Sequence, residues 1–286
     1  MVIGFLQDKG SIASMTQKSL AFINGGVLLP NQNDPQLTNI LIRNGKIVGL
    51  GYIPDEKDDD LEVMDCRGCV IVPDLIDMYA NRCHPDNHRT LSNAALASGL
   101  TKLVCSPLSD PIIDRPELLS YVTQQINSAS LIPIYQLGAM TQSSQGQALA
   151  EMGLMKKHGA IGFSDLYAID DPLVMANCLR YSSVMNLPLL VSHCDRRSAA
   201  LGCINDGFYA TILGLQGTPR IIEEMGVRRD IEMVRTIGGQ VHFLHLTTRE
   251  SIDCVRQAKR DGLSVTCGTA LHYLWFNDSH LDGYNT

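Results

Sequence analysis

The alternation of hydrophobic and polar positions changes near residue 73. Before that point, short apolar runs are separated by turn residues, and two of these runs flank Asn44-Gly45, a dipeptide that is typical of a two-residue hairpin turn. Short strands joined by tight turns predict a small all-β module. We assign this module to residues 15–72 and regard residues 1–14 as an N-terminal extension.

From residue 73 onward, continuous apolar runs alternate with amphipathic segments. Such runs, separated by helices, are typical of parallel strands that are buried on both faces. The predicted strands are 75–79, 102–105, 132–137, 160–163, 189–191, 241–246 and 263–267, and the clearest predicted helices are 116–128, 171–185, 228–237 and 249–261. A (β/α)8 TIM barrel has eight strands. We therefore predict an α/β chain whose residues 73–286 form a TIM barrel with about seven of its eight strands, truncated at its C-terminus.

Composition and charge exclude several classes of protein. Apolar residues make up 45% and charged residues 19% of the chain, which is ordinary for a globular protein with a sizeable core. The net charge of −7, with no basic run longer than Arg228-Arg229, argues against a surface for nucleic acid or anionic membranes. No apolar stretch reaches the roughly 18 residues of a membrane span, and residues 1–14 do not resemble a secretory signal. We expect a cytoplasmic protein that contacts neither nucleic acid nor membrane.

The nine cysteines are an odd number and show no regular spacing. Several lie in apolar runs, so we expect buried, reduced thiols, as in most cytosolic proteins. Cys66 and Cys69 form a C-x-x-C pair, but no second pair accompanies them to complete a zinc site. We interpret that pair as structural.

Three residues suited to metal binding follow successive predicted strands. Asp165 follows the fourth strand, His193 follows the fifth, and His245 lies at the end of the sixth. Functional residues of a parallel barrel sit at these carboxyl ends, and carboxylates and imidazoles are ligands of divalent metals. One such residue alone would more often be a hydrogen-bonded residue of the barrel rim. Three at successive strand ends favour a metal site.

Several stretches resemble the dihydroorotase family of cyclic amidohydrolases. Residues 73–78 resemble the amidohydrolase opening P-G-L-I-D-x-H-x-H; the stretches 214–219, 223–224, 229–232, 238–248 and 271–274 resemble the long signature of bacterial dihydroorotases. The resemblance covers roughly residues 20–286. It implies an amidohydrolase TIM barrel preceded by a small β-sandwich module. It also implies metal-dependent hydrolysis of a cyclic amide, the reversible closure of carbamoyl aspartate to dihydroorotate in pyrimidine biosynthesis.

Carried over position by position, the resemblance implies a damaged site. The first two metal histidines of the family fall on Tyr79 and Asn81, which are poor ligands for a divalent metal. The substrate-binding arginine falls on Cys83, the asparagine after the second strand falls on Leu108, and the catalytic aspartate belongs to an eighth strand that we do not find. We therefore assign no catalytic or substrate-binding residue. Asp165, His193 and His245 remain as a vestigial or weak metal site, holding zinc weakly if at all.

Other histidines are poorer candidates for ligands. His84 and His88, with Asp86 between them, lie in a polar stretch that predicts a solvated turn. His242 alternates away from His245 along the predicted strand, so we expect the two side chains on different faces.

Three functional hypotheses stay open. The first is a non-catalytic dihydroorotase-like protein that forms an oligomer with aspartate carbamoyltransferase, a role that the resemblance implies because bacterial homologues of this kind scaffold that enzyme. The second is an active amidohydrolase with an altered mononuclear site at Asp165, His193 and His245. The third is a piece of a longer pseudoenzyme with no function of its own.

Overall fold

The computed structural model describes residues 19–29, 32–51, 60–81, 87–194, 196–199, 202 and 204–281. Two compact units divide the chain. One contains the residues up to Tyr79 together with Asn87–Val104 and Ala129–Ile134, and the other contains the remaining segments. The predicted extension at 1–14 lies outside the described residues, and the boundary between residues 72 and 73 stays a prediction.

The first unit begins with a five-stranded sheet. Its strands are β1 (Ser19–Val27), β2 (Gln36–Arg43), β3 (Lys46–Leu50), β4 (Leu61–Asp65) and β5 (Val70–Ile71). Their order is β3-β2-β1-β4, with β5 also paired to β1. Asn44-Gly45 forms the predicted turn between β2 and β3, and both residues have the positive φ angles, 51° and 70°, that such a turn requires.

Apolar side chains from alternate positions of these strands form a small core. Phe22, Val27, Ile40, Ile42 and Cys66 are its buried members. Residues two apart in a strand point to the same face, which explains why alternate apolar positions meet here. The described strands of this module lie in one sheet, whereas the predicted sandwich has two layers.

Parallel strands dominate the rest of the chain. They are β6 (Leu75–Ala80), β7 (Leu100–Cys105), β8 (Ile134–Gln136), β9 (Gly138–Ala139), β10 (Phe163–Ser164), β11 (Leu189–Val191), β12 (Ile204–Asn205), β13 (Gly217–Thr218), β14 (Val241–Phe243) and β15 (Val265–Cys267). One sheet has the order β6-β7-β8, another has the order β9-β10-β11-β14-β15, and β12 pairs with β13. Each predicted barrel strand overlaps an observed one. The third is observed as two pieces, β8 and β9, with Leu137 between them.

Helices alternate with these strands. They are α1 (His88–Ala97), α2 (Pro116–Ala129), α3 (Met152–Lys157), α4 (Pro172–Met185), α5 (Arg196–Ala199), α6 (Phe208–Leu213), α7 (Ile221–Ile237) and α8 (Arg249–Arg260). The predicted helices correspond to α2, α4, α7 and α8, although α7 begins at Ile221 rather than at Arg228. Among the residues described, no helix is long and apolar enough to cross a membrane.

The cysteines differ in part from the prediction. Six of them are free thiols: Cys66, Cys69, Cys178, Cys194, Cys254 and Cys267. Cys105, at the end of β7, is disulfide-bonded, so the prediction of reduced thiols is wrong for this residue. Pairing depends on the distance and direction of two Cβ atoms, which an apolar sequence context does not reveal.

Candidate functional site

Asp165 follows β10 directly, and its carboxylate anchors the segment that follows β9. The carboxylate accepts hydrogen bonds from the backbone N–H of Met140 (3.0 Å) and Thr141 (3.3 Å) and from the Thr141 hydroxyl. Burial raises the pKa of Asp165 to about 6, although these hydrogen bonds act in the opposite direction. The Asp165 carboxylate is therefore a buried hydrogen-bond acceptor for Met140 and Thr141.

The anchored segment contains a strained turn. Ser143 and Ser144 have φ angles of 49° and 53°, in the left-handed region, where a residue with a Cβ costs about 1 kcal/mol or more. Two hydrogen bonds hold this turn: Ser143 N–H donates to Asp114 (2.9 Å), and Leu166 N–H donates to the Ser144 hydroxyl oxygen (2.8 Å). Strain of this kind persists only where surrounding contacts determine the conformation.

His193, two residues after β11, has a partner at each ring nitrogen. Its Nδ1 lies 3.2 Å from the carbonyl oxygen of Leu244, and its Nε2 lies 3.3 Å from a carboxylate oxygen of Glu223. Both partners are oxygen acceptors, so each contact is a hydrogen bond when the ring nitrogen that faces it carries a proton. The side chain of His193 is 15% exposed and that of Glu223 is 7% exposed, which makes this a largely buried ion pair.

Glu223 lies in the first turn of α7 and also binds the start of α8. Its carboxylate accepts hydrogen bonds from the hydroxyls of Thr247 and Thr248 (both 2.7 Å) and from both of their backbone N–H groups. Burial alone would raise the pKa of Glu223, but the Thr247 hydroxyl, the positive charge of His193 and the Thr248 contacts outweigh it and lower that pKa. Thr248 is also the N-cap of α8, so one carboxylate links two helix starts to His193.

His245 lies just beyond β14 in an unusual backbone conformation. Its φ of 52° places it in the left-handed region, so the chain turns there and strand alternation no longer applies. His242 receives a hydrogen bond from, or donates one to, the hydroxyl of Thr266 on β15 (2.8 Å). Burial lowers the pKa of His242, and the proximity of His245 lowers it further. The prediction that the two side chains lie on different faces of the strand stays a prediction.

Two of the three predicted metal ligands have protein partners at their ligating atoms. The Asp165 carboxylate is engaged by the chain at 140–141, and both ring nitrogens of His193 are engaged by Leu244 and Glu223. Within the described ranges, no three His, Cys, Asp or Glu side chains are grouped so that they could hold a metal ion. Metal binding by Asp165, His193 and His245 stays a prediction.

The positions that replace the histidine pair have local partners. Tyr79 donates its backbone N–H to the carboxylate of Asp77 (2.9 Å). Asn81 accepts a hydrogen bond from the Ser106 hydroxyl at its side-chain oxygen (3.1 Å). Leu108 is half-buried. Cys83, the position of the substrate-binding arginine, lies outside the described residues.

The prediction of a solvated turn around residue 86 is wrong for His88. His88 is the first residue of α1 and is fully buried, at 0% exposure. Its polar neighbours in the sequence indicated a loop, but the first turn of a helix brings one side of the chain into the core. His84 and Asp86 lie outside the described residues.

Sequence reasoning missed the role of Glu223. This residue belongs to a stretch that resembles the family signature, but the pattern indicated no particular partner for it. Two features of the sequence could have indicated this role. Glu223 lies in the first turn of one helix, and Thr247 and Thr248 lie at the start of another. Glu223 and Thr247 are 24 residues apart in the sequence, and only the tertiary fold determines that they meet.

Comparison with known proteins agrees with the fold. The sequence model of the family described as "Dihydro-orotase-like" matches residues 68–251. The chain is 32% identical over 276 residues to the dihydroorotase of Pelobacter propionicus and 33% identical over 272 residues to that of Geotalea daltonii. These alignments cover 94% and 93% of this chain but 64% of each relative, so the chain spans about two thirds of their length or slightly less.

A solved structure supports the same conclusion about the fold. The L-hydantoinase (dihydropyrimidinase) of Arthrobacter aurescens superposes with a TM-score of 0.69 at 15% identity, covering 88% of this chain and 58% of the hydantoinase. The predicted α/β fold, an amidohydrolase TIM barrel, is thereby confirmed. Together with the match over residues 68–251, this means that the chain belongs to the dihydro-orotase-like family.

Proposed function

We propose that this chain is a dihydroorotase-like protein of pyrimidine metabolism that does not hydrolyse cyclic amides and acts instead as a structural partner of aspartate carbamoyltransferase. The observation that carries this proposal is the ion pair between His193 and Glu223. Both ring nitrogens of His193 already face an oxygen atom of the protein, so a metal ion at Nε2 would have to displace the carboxylate of Glu223.

The other ligand positions point in the same direction. A phenol at Tyr79 and a carboxamide at Asn81 lack the imidazole nitrogens that a zinc site of this family uses. Asp165 directs its carboxylate to Met140 and Thr141. Without a tightly held metal ion, a water molecule near neutral pH stays un-ionised and is a poor nucleophile.

Exposed apolar side chains support a role in assembly. Leu271, Leu274 and Trp275 are 82%, 73% and 79% exposed, and Tyr273 and Phe276 beside them are about half exposed. Exposed apolar patches on proteins mark sites where another molecule binds. The identity of the partner rests on the family resemblance alone.

A second candidate function is an active cyclic amidohydrolase. The identity of 32–33% with proteins named dihydroorotase favours it. In that case Asp165, His193 and His245 would hold zinc, and the metal would supply an activated water. The His193–Glu223 pair would then have to separate.

One purified sample can distinguish the two candidates. The chain is expressed with zinc in the medium, its zinc content is measured, and dihydroorotate turnover and co-elution with aspartate carbamoyltransferase from the same organism are assayed at micromolar concentrations, where ordinary specific complexes form. The dihydroorotase of Pelobacter propionicus is the positive control. We expect no zinc, no turnover and co-elution. Turnover that a chelator abolishes would overturn the proposal in favour of the second candidate, and failure to co-elute would remove the assembly role.

A further inference from the structure

A polar cavity of about 420 Å³ opens where the chain leaves β9, β10 and β11. The larger polar and charged side chains that line it include Gln145, Gln147, Tyr167, Asp170, Arg196 and Arg197. This volume lies within the range of small-molecule sites. The carboxyl ends of parallel strands are also where barrel proteins bind ligands. None of these residues takes part in the His193–Glu223 pair.

One side of the cavity is built for a planar anion. The guanidinium of Arg196 stacks over the ring of Tyr167, 5.0 Å from its centroid. A guanidinium held over an aromatic ring can still bind a carboxylate through two parallel N–H hydrogen bonds. Arg197 lines the same cavity and adds a second positive charge.

The opposite charge is also present in the cavity. Asp170 makes no hydrogen bond or ion pair with any residue in the described part of the chain. Asp171, by contrast, is the N-cap of α4 and accepts hydrogen bonds from the N–H groups of Leu173 (2.8 Å) and Val174 (3.4 Å). The Asp171 carboxylate therefore caps the helix. Asp170 is the carboxylate that can bind a cationic group of a ligand.

Hydrogen bonds within the chain hold one part of the cavity wall. It includes Ser144 and Gly146, which belong to the strained turn anchored on Asp165. Gly146 N–H donates to the Thr141 hydroxyl oxygen at 2.9 Å, and that hydroxyl in turn donates to Asp165. A cavity with a fixed wall loses little conformational entropy when a ligand binds.

We propose that this cavity binds a small zwitterion that carries a carboxylate and an ammonium group, as in an amino acid, with the carboxylate on Arg196 and the ammonium on Asp170. A doubly charged anion such as phosphate is disfavoured because Asp170 would repel it. This proposal does not depend on whether the chain is catalytic or on its protein partner.

The test uses three related probes on the full chain. L-serine carries both charged groups, glycerate replaces the ammonium by a hydroxyl, and ethanolamine lacks the carboxylate. Binding is measured by calorimetry up to about 10 mM, where a site of millimolar affinity is mostly filled. We expect saturable binding of L-serine to one site and binding at least about tenfold weaker for the other two probes and for inorganic phosphate, since each loses a charge-assisted contact or gains a repulsion.

Two variants assign the ends of the ligand. Arg196→Gln is expected to weaken L-serine binding about tenfold; Asp170→Asn is expected to weaken L-serine binding about tenfold but not glycerate binding, which loses a repulsion and becomes equal or tighter. Arg249→Gln is the control, because Arg249 is 90% exposed and lies on α8. Circular dichroism checks that each variant is folded. Absence of L-serine binding, equal binding of glycerate or phosphate, or an unchanged affinity in Arg196→Gln would overturn the proposal.

Discussion

At the scale of single residues, the carboxylate of Glu223 illustrates how a buried charge is tolerated. Removing a carboxylate from water is costly unless charged and hydrogen-bonding partners compensate for it. Here His193 supplies the positive charge, and Thr247 and Thr248 supply four donor groups. The neighbouring Glu224 pairs with Arg228, which is 62% exposed, and therefore offers a natural comparison.

We expect Glu223→Gln to lower the free energy of unfolding by about 3 kcal/mol, because it removes a buried carboxylate that His193, Thr247 and Thr248 all contact. Glu224→Gln should cost less, about 1 kcal/mol, since its partner Arg228 is exposed to solvent although Glu224 itself is 19% exposed. Urea unfolding of both variants measures the difference. Equal losses in the two variants would show that the His193 contact is not a significant source of stability.

Asp165 gives the stability of the chain a specific pH dependence. Its pKa is about 6 in the folded chain against an ordinary value of 3.8, so the folded chain binds a proton that the unfolded chain releases between these values. Stability from this group is therefore present at low pH and is lost as pH rises through about 6, by up to about 3 kcal/mol. Glu223, whose pKa is lowered, acts in the opposite direction at acid pH.

The comparison of wild type with Asp165→Asn isolates this effect, because the amide does not titrate. Unfolding free energies measured at about pH 4 and about pH 7 should show the wild type losing stability relative to the variant as pH rises. A constant difference between the two proteins across this range would mean that Asp165 is ionised throughout.

At the scale of elements, helix α7 shows where sequence reasoning falls short. The prediction began this helix at Arg228, and a glycine such as Gly226 costs a helix only about 1 kcal/mol. In the structure the helix continues through Gly226, and a Cβ at that position would lie 3.1 Å from the carbonyl oxygen of His193. The glycine permits a close approach of the helix to the site, and only the tertiary fold reveals that contact.

The connection from α7 to β14 provides a prediction of its own. Gly239 has a φ of 96°, and a Cβ there would meet the Leu179 side chain at 2.7 Å. Gly239→Ala should therefore destabilise the chain by about 2 kcal/mol or more, through backbone strain and overpacking together. Gly262→Ala is the matched control, with a φ of 82° and nothing within 4 Å, and should cost only about 1 kcal/mol. Thermal unfolding of both variants measures the difference, and equal costs would exclude the overpacking.

Short strands were the elements that the sequence did not predict. The barrel strands could be placed because continuous apolar runs mark strands buried on both faces. β12 (Ile204–Asn205) and β13 (Gly217–Thr218) have two residues each and no apolar run, so no periodicity marks them. The ends of the barrel strands could likewise be predicted, which placed Asp165, His193 and His245 correctly along the chain, but not the partners that engage them.

At the scale of the whole molecule, apolar surface near residues 271–276 remains exposed. Trp275 is the only tryptophan of the chain and is 79% exposed, so it reports on this surface directly. The isolated chain should show the fluorescence emission of a solvated indole with strong quenching by acrylamide, and Trp275→Phe should remove that signal. Emission typical of apolar surroundings would contradict this expectation, and dilution would then tell whether a second copy covers the surface.

The contact between His193 and Glu223 also constrains the evolutionary routes that are open to this chain. Restoring histidine at positions 79 and 81 would still leave the imidazole at 193 bound to its own protein. A descendant that regained hydrolysis would first have to give up a stabilising contact before any benefit appeared. If the chain is non-catalytic, as we propose, its loss of hydrolytic activity is thus easier to acquire than to reverse.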